Sequence, residues 1–191
     1  MPFLCSADAL PARPRRVAVA GTSGSGKTTL VGRIASVLGA SPHELDALSH
    51  GPGWTRRPSF VDDVRAFLDD EAWVCEYQYT VARPLVGAKA DLLVWLDPPV
   101  AVVMTQVIRR TVTRRIDRRE LWNGNVEPPL REFFTDRDHI VRRAWRTRGK
   151  ARRQVHELAA ERPELPVVRL GSHREAADWL AGPLRASAAD G

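Results

Sequence analysis

The chain has 191 residues, of which 43% are hydrophobic and 27% are charged, and its formal net charge is +6. This length fits one domain of ordinary size, so we expect a single domain over residues 1–191. No run of about 18 apolar residues is present, which argues against a membrane-spanning helix. Cys5 and Cys75 are too few for a disulfide framework or a zinc site. Because the first residues also lack the features of a secretory signal, we expect a cytoplasmic protein.

The first predicted elements are a loose arm and a short buried strand. Residues 1–14 contain three prolines without a regular period, and they predict a flexible arm. Residues 16–20 read Arg-Val-Ala-Val-Ala, a small and β-branched apolar run that is typical of an interior strand. This strand leads directly into a glycine-rich loop.

The glycine-rich loop has the complete G-x-x-x-x-G-K-[ST] pattern over residues 21–28. Its glycines allow the backbone to wrap a phosphate at φ values that a Cβ would penalise. In this pattern the lysine, here Lys27, reaches the β- and γ-phosphates, and the hydroxyl of Thr28 binds Mg²⁺. The predicted nucleotide-binding residues are Gly21, Thr22, Ser23, Gly24, Ser25, Gly26, Lys27, Thr28 and Thr29.

A helix is predicted directly after the loop, and it ends at Gly39, a typical C-cap. Its apolar residues recur at helical spacing, at Leu30, Ile34, Val37 and Leu38. Strand, glycine loop and helix form the context that the motif requires, and the helix N-terminus adds a partial positive charge. The sequence therefore predicts a site for ATP and Mg²⁺. The alternative is a glycine turn that binds nothing.

The remainder of the chain alternates predicted strands with predicted helices. Further strands are predicted at residues 42–46, 73–77, 91–97 and 165–170. Helices are predicted at residues 59–70, 100–113, about 135–161 and 172–180, and a frayed tail at 183–191. This alternation predicts an α/β fold, a three-layer P-loop NTPase of the nucleotide-kinase type with a five-stranded parallel sheet.

Three acidic residues stand at the ends of predicted strands, namely Asp46, Glu76 and Asp97. Ligands of an open α/β sheet bind outside the carboxyl ends of its strands, so these carboxylates are expected near the glycine-rich loop. There a carboxylate can organise Mg²⁺ or accept a proton from an attacking hydroxyl. Asp46 and Glu76 are the candidates for both tasks. The two prolines after Asp97 indicate an ordinary strand end.

Residues 109–153 form a basic segment, with fifteen Arg or Lys against six Asp or Glu. Arginines that close over phosphates are common in phosphoryl transfer, so residues from about 110 to 137 are predicted to form a short helical lid. Arg110 and Arg114, one helical turn apart, are its predicted catalytic arginines. The alternatives are a solvated helix face and a surface that binds nucleic acid.

Residues 89–91, Lys-Ala-Asp, resemble part of the N/T-K-x-D motif that recognises guanine. Ala88 replaces the first residue of that motif, and the tripeptide precedes its predicted strand instead of following one. Specificity for GTP is therefore not expected.

Several segments together resemble the adenylate-kinase-like proteins labelled "DNA topology modulation protein". The resemblance covers roughly residues 16–150 and is carried by the glycine-rich loop and by residues 43–48, 53–54, 73–79 and 90–99. It implies a P-loop kinase core with a short lid, and more broadly a small-molecule or nucleotide kinase. Residues 76–79 depart from the family, since they read Glu-Tyr-Gln-Tyr where the family has Asp-Gly-Asn-Tyr. Glu76 would then take the role of the aspartate.

The residues and the resemblance together predict an Mg²⁺-dependent phosphotransferase that uses ATP and acts on a small molecule or a nucleotide. Lys27 would stabilise the transferring phosphoryl group, and Thr28 would hold the metal. Asp46 or Glu76 would bind the metal or position the acceptor hydroxyl. The predicted acceptor-site residues are Trp54, Tyr79 and Arg83. Two alternatives stay open: a nucleic-acid-associated regulator that uses nucleotide binding as a switch, and a simple NTPase.

Overall fold

The computed structural model describes residues 3–116 and 149–189, and within them six strands form one parallel sheet. The strands are β1 (Phe3–Leu4), β2 (Arg16–Gly21), β3 (Ser41–His43), β4 (Trp73–Glu76), β5 (Leu92–Leu96) and β6 (Val167–Leu170). Their order in the sheet is β1-β6-β5-β2-β4-β3. The prediction of an α/β fold with a parallel sheet is confirmed.

The sheet has six strands, whereas the sequence predicted five. The additional strand is β1, which pairs with β6 and places Phe3 opposite Val167 and Leu4 opposite Val168. Both residues belong to the segment expected to be a flexible arm. A strand of two residues is too short to have a recognisable period, and its pairing partner lies at the other end of the chain.

Helices cover both faces of the sheet. The described helices are α1 (Lys27–Leu38), α2 (Leu45–Ser49), α3 (Phe60–Leu68), α4 (Arg83–Lys89), α5 (Val100–Ile116), α6 (Lys150–Glu161), α7 (His173–Ala181) and α8 (Pro183–Ala189). A 3₁₀ turn occupies Pro52–Trp54. Within the described parts of the chain, no helix has the length and apolar character needed to cross a bilayer.

Alternate residues of a strand face opposite sides, so the sheet separates two apolar cores. On one side α1, α7 and α8 pack against β2 residues that include Val17 and Val19. On the other side α2, α3, α4 and α6 pack against Ala18 and Ala20 of the same strand. Helices, sheet and helices therefore form three layers.

Strand β2 lies in the middle of the sheet, between β4 and β5. The chain continues from β2 to β3 and β4 on one side and then crosses to β5 and β6 on the other. The strand order thus reverses at β2, and ligands of open α/β sheets bind at the carboxyl end of the strands at such a point. That end of β2 is Gly21, the first residue of the glycine-rich loop.

Two local predictions were wrong. The strand predicted at residues 42–46 ends at His43, and Asp46 lies instead in the first turn of α2, whose Leu45 is fully buried. The tail at residues 183–191 was expected to be frayed, yet Pro183–Ala189 form helix α8. Leu184 of α8 is fully buried in the core beside α1, and this burial stabilises the helix.

The tripeptide that resembles a guanine motif has structural contacts. Asp91 accepts hydrogen bonds of 3.0 Å from the backbone N–H groups of Arg15 and Arg16, at the start of β2. Lys89 forms an ion pair with Asp69, at the end of α3. Asp91 thus connects the start of β5 to the start of β2, and Lys89 connects the end of α4 to the end of α3.

One arginine holds the C-terminal end of α4. Arg162, which follows α6, donates from Nη1 to the carbonyl oxygens of Gly87 at 2.7 Å, Ala90 at 2.8 Å and Ala88 at 3.3 Å. A cation at the last carbonyls of a helix also interacts favourably with the helix dipole. Helix α4 is therefore anchored at this end, while its first residue, Arg83, closes the loop that follows β4.

Candidate active site

The glycine-rich loop joins the end of β2 to the start of α1. Gly24 and Gly26 have φ values of +83° and +101°, which residues with a Cβ rarely adopt. The N–H of Ser25 donates to the carbonyl oxygen of Thr22 at 3.0 Å and closes a tight turn inside the loop. Gly26 is the N-cap of α1, so the unpaired N–H groups at that helix end lie next to the loop.

The loop leaves no room for side chains at its glycines. A Cβ on Gly24 would lie 2.1 Å from Cγ2 of Val107 in α5. A Cβ on Gly26 would lie 3.1 Å from Cε1 of His173 in α7. Helices α5 and α7 therefore pack directly on the loop, and their side chains occupy the space that a Cβ would need. The unpaired N–H groups at the N-terminus of α1, next to this loop, can bind a phosphate group.

Lys27 and Thr28 are the first residues of α1. Lys27 is 7% exposed, and its Nζ donates to the carbonyl oxygen of Thr22 at 3.3 Å, so the ammonium group lies against the loop. The Oγ1 of Thr28 donates to Oε1 of Glu76 at 2.7 Å. An ammonium group here can bind phosphate oxygens, and a hydroxyl beside a carboxylate can bind Mg²⁺.

Glu76 is the last residue of β4 and is 2% exposed. Its side chain reaches Thr28 because β4 pairs with β2, the strand that leads into the loop. Burial raises the pKa of Glu76, the charge of Lys27 lowers it, and the charge of Asp46 raises it. Since burial disfavours the ionised form, a divalent cation beside Glu76 would stabilise its negative charge.

Gln78 connects Glu76 with Asp46. Its Nε2 donates to Oε2 of Glu76 at 2.7 Å and to Oδ1 of Asp46 at 3.0 Å. The hydroxyl of Tyr79 donates to the same Oδ1 of Asp46 at 2.5 Å. Burial and the adjacent carboxylate raise the pKa of Tyr79, so its hydroxyl remains a hydrogen-bond donor. One hydrogen-bonded network thus extends from Thr28 to Tyr79.

Aromatic side chains lie beside this network. The ring of Tyr79 is 5.1 Å from that of Phe60 between centroids, and the ring of His50 is 5.6 Å from that of Trp54. Trp54 is 39% exposed. Tyr79 and Trp54 have φ values of +63° and +58°, and no other described residue except glycine has a positive φ. Strained backbone of this kind is often found at ligand sites.

The remaining predicted site residues are Arg83, Arg110, Arg114 and the predicted lid. Among residues 3–116 and 149–189, Arg83 makes no hydrogen bond or ion pair with Asp46 or Glu76. Arg110 and Arg114 lie on α5, and their side chains fall outside the described residues. Residues 117–137 of the predicted lid also lie outside them.

Asp97 follows β5 and belongs to a separate ion-pair cluster. Its Oδ2 lies 2.8 Å from Nη2 of Arg169 and 3.6 Å from Nη2 of Arg152. Both guanidinium groups also lie near the ring of Trp95, with distances of 5.2 Å and 5.7 Å to its centroid. These contacts give Asp97 a structural role at the ends of β5, β6 and α6.

Several residues at the site were missed by sequence reasoning, among them His50, Phe60, Gln78 and His173. Gln78 could have been found, because it lies two positions after Glu76 and side chains two apart on an extended chain share a face. His173 has no such signal. Its Nε2 is 3.2 Å from Oε1 of Gln106 on α5, a contact that only the packing of α7 against α5 creates.

Comparisons with known proteins find weak similarities to solved structures and no match to a protein family. No protein-family model matches the chain, and no curated protein matches it. The crystal structure of a gluconokinase from Sinorhizobium meliloti 1021 is similar at 19% identity and a TM-score of 0.49, covering 92% of this chain and 95% of that chain. An unliganded sugar kinase from Janibacter sp. HTCC2649 is similar at 17% identity and a TM-score of 0.46, covering 94% and 91%.

These matches do not support the label "DNA topology modulation protein" that the sequence resemblance suggested. With identities below 20% and TM-scores below 0.5, they add no argument about the activity of this chain. The α/β architecture rests on the chain's own strand pairings.

Proposed function

We propose that this chain is an ATP- and Mg²⁺-dependent phosphotransferase that acts on a hydroxyl group of a small molecule. The proposal is carried by the hydrogen-bonded network that runs from Thr28 through Glu76, Gln78 and Asp46 to Tyr79. The network joins a phosphate-binding loop at one end to an aromatic site at the other. Transfer of a group between two bound molecules requires that both sites be held in a fixed mutual position.

The loop side supplies the groups that a nucleotide requires. The loop suits a phosphate, because Gly24 and Gly26 allow its positive φ values and the N-terminus of α1 adds partial positive charge. Lys27 would bind the terminal phosphate oxygens and stabilise negative charge on the transferring group. Thr28 and Glu76 would hold Mg²⁺, directly or through water, and when bound it would neutralise phosphate charge.

The hydrogen bonds distinguish the roles of the two carboxylates. Glu76 is bonded to Thr28, the expected metal ligand, whereas Asp46 is bonded to Tyr79 on the aromatic side. We therefore assign Glu76 to the metal and Asp46 to the acceptor. This assignment narrows the expectation from sequence, in which either carboxylate could take either role.

The two oxygens of Asp46 differ in their surroundings. Oδ1 accepts hydrogen bonds from both Gln78 and Tyr79, whereas Oδ2 has no partner among the described residues. Oδ2 is therefore the atom that would accept the proton of an attacking hydroxyl. The hydroxyl oxygen would bond to the γ-phosphorus while the bond from that phosphorus to the β,γ-bridging oxygen breaks, and ADP would leave with the electron pair of that bond. Trp54 and His50, at the exposed edge of the aromatic site, would contact the carbon framework of the acceptor.

Nucleotide use is tested with two matched lysine variants. Lys27→Ala should abolish ATP turnover and keep the fold, because Nζ of Lys27 donates to the carbonyl oxygen of Thr22 in the loop and alanine is a good helix former at the first residue of α1. Lys150→Ala removes an exposed lysine at the start of α6 and should behave as wild type. Turnover is measured as ADP release, and folding by circular dichroism. A folded Lys27→Ala protein with wild-type turnover would contradict the proposal.

The acceptor is sought by a thermal-shift screen in the presence of Mg²⁺ and AMP-PNP, an ATP analogue that resists hydrolysis. The screen includes nucleoside monophosphates, sugars and hydroxy acids. An acceptor that binds the folded state raises the melting temperature by mass action. Each positive compound is then incubated with ATP, and the phosphorylated product is identified by mass spectrometry. ATP hydrolysis that no acceptor accelerates would favour a simple NTPase instead.

A further inference from the structure

Within residues 3–116 and 149–189, Gln78 is the side chain that bonds both carboxylates of the site. Its Nε2 lies 2.7 Å from Glu76 and 3.0 Å from Asp46. An amide nitrogen carries two hydrogens, so each carboxylate can receive one of them. Because both neighbours are hydrogen-bond acceptors, the nitrogen and not the oxygen of the amide must face them.

The position of Gln78 follows from the strand that precedes it. The backbone N–H of Tyr77 still donates to the carbonyl oxygen of Val19 at 2.8 Å, so the extended chain continues one residue beyond β4. Tyr77 faces the apolar core on one side of the sheet. Side chains alternate along an extended chain, so Gln78 returns to the side of Glu76.

Asp46 reaches the site from a different element. It lies on α2, a helix of five residues, whereas Glu76 ends a central strand. Their like charges repel, and the proximity of Asp46 disfavours ionised Glu76. A neutral amide between them relieves this repulsion and leaves both negative charges in place. An arginine or lysine there would cancel the charge that a metal ion requires.

We propose that Gln78 is a positioning residue that fixes Glu76 and Asp46 relative to each other for binding of the nucleotide-bound metal ion. The inference rests on the proposed function, because it assigns Glu76 to Mg²⁺ and Asp46 to the acceptor. The contacts of the Gln78 amide are with the two carboxylates, and we assign it no direct contact with the phosphates or the metal ion. It acts through the orientation of the two carboxylates, and so its removal weakens binding of the metal more than binding of the nucleotide.

The test compares AMP-PNP binding with Mg²⁺ and with EDTA, by isothermal titration calorimetry. The dissociation constant in EDTA divided by the dissociation constant with Mg²⁺ is the ratio that measures how much the metal strengthens binding. Gln78→Met keeps the length of the side chain and removes both N–H donors. We expect this variant to lower the ratio by about tenfold, as for the loss of one hydrogen bond to a charged group. Its affinity for AMP-PNP in EDTA should stay at the wild-type value.

Gln154→Met is the matched control. It makes the same substitution at a half-buried glutamine of α6 that lies outside the network, and it should keep the wild-type ratio. If Gln78→Met does not fold, Gln78→Asn serves in its place. Asparagine keeps the amide but is one methylene shorter, so it cannot hold both carboxylates, and it should also lower the ratio.

The outcomes separate this inference from the proposed function. Wild-type protein that binds AMP-PNP, together with folded Gln78 variants that keep the wild-type ratio, would overturn the role of Gln78 and leave the proposed function intact. Wild-type protein that fails to bind AMP-PNP under either condition would overturn the proposed function itself. A Gln78 variant that loses affinity equally with Mg²⁺ and with EDTA would show a general structural role and would also overturn the inference.

Discussion

Thr28 donates a hydrogen bond of 2.7 Å to Glu76, and this contact joins the first turn of α1 to the end of β4. The two residues are 48 positions apart in the chain, and they meet because β2 and β4 are neighbours in the sheet. A threonine hydroxyl and a carboxylate at this distance present two oxygen ligands to a hard cation. The two oxygens that the proposed Mg²⁺ site would use are therefore adjacent in the fold itself.

The role of Glu76 is tested by Glu76→Gln, which keeps the shape of the side chain and removes its charge. Turnover should fall by about tenfold or more, equivalent to ~1.4 kcal/mol of barrier, because the metal loses an anionic ligand. Affinity for ATP in EDTA should change little, since the proposed role of Glu76 is to bind the metal and not the phosphates. Steady-state kinetics and calorimetry measure the two effects. Wild-type kinetics in this variant would transfer the metal role to Asp46.

Asp46→Asn tests the proposed proton acceptor. The amide can still accept from Gln78 and Tyr79 through its oxygen, but it cannot take a proton from a hydroxyl. We expect kcat to fall by about 100-fold or more once an acceptor is known, a typical contribution of a general base. The dissociation constant for Mg²⁺ and AMP-PNP should remain within a small factor of wild type. A large loss of Mg²⁺ binding with unchanged kcat would place Asp46 on the metal instead.

The parts of the site that were predictable are those whose chemistry is local in sequence. The spacing of Gly24 and Gly26 specifies positive φ values, and the lysine and threonine that follow begin the next helix. The network between Asp46 and Gln78 was not predictable, because its members are 32 positions apart and meet only through the packing of α2. Strand β1 was missed for a related reason, since its stability comes from pairing with the distant β6.

Gly24→Ala tests the backbone conformation of the glycine-rich loop. A Cβ at this position would meet Val107 at 2.1 Å, and φ is +83°, so the loop should distort and lose nucleotide binding. Gly32→Ala is the control in the same region, because Gly32 lies inside α1 with nothing within 4 Å of its Cβ position. The control should keep AMP-PNP affinity and raise the free energy of unfolding by ~1 kcal/mol. Calorimetry and urea denaturation distinguish the two variants.

The stability of the fold should depend on pH through His43. Its ring stacks on Phe67 with centroids 4.0 Å apart, and among the described residues its buried Nε2 has no hydrogen-bond partner. Burial lowers the pKa of His43 from its ordinary value of 6.5, and the charge of Asp70 partly opposes this. The unfolded chain therefore binds more protons than the folded chain between the folded pKa and 6.5. Stability should fall as the pH drops below 6.5 and reach its plateau above it.

Urea denaturation at several pH values measures this dependence. His43→Leu should flatten the plot of unfolding free energy against pH between about pH 5 and 7, roughly the range over which histidine titrates. The reason is that leucine takes up no proton at this position on unfolding. A wild-type protein whose stability rises as the pH falls from 7 to about 5.5 would contradict the assignment to His43.

The basic segment distinguishes catalysis from binding of nucleic acid. Arg153 is an exposed residue of α6, and Arg153→Glu should leave ATP turnover within about twofold of wild type, as is usual for exposed charges. Duplex DNA should not bind at submicromolar concentration in physiological salt. Submicromolar binding would favour the nucleic-acid alternative if the slope of log affinity against log salt concentration is about −0.9 per phosphate contact. In that case Arg153→Glu should reduce the magnitude of this slope by about one. Fluorescence anisotropy at several salt concentrations measures it.

Arg162 holds the last carbonyls of α4, and the backbone N–H of Tyr77 is bonded to Val19 in the sheet. Residues 78–82 therefore form a short loop between the sheet, which ends at the bond of Tyr77, and the start of α4 at Arg83. Substitutions at the exposed residues Thr80 and Val81 would reshape the proposed acceptor side and leave Glu76, Gln78 and the following helix unchanged. Related chains could in this way differ in substrate while they retain the same nucleotide-binding residues. Directed evolution of a new acceptor preference can begin with Val81 and its exposed neighbour Thr80.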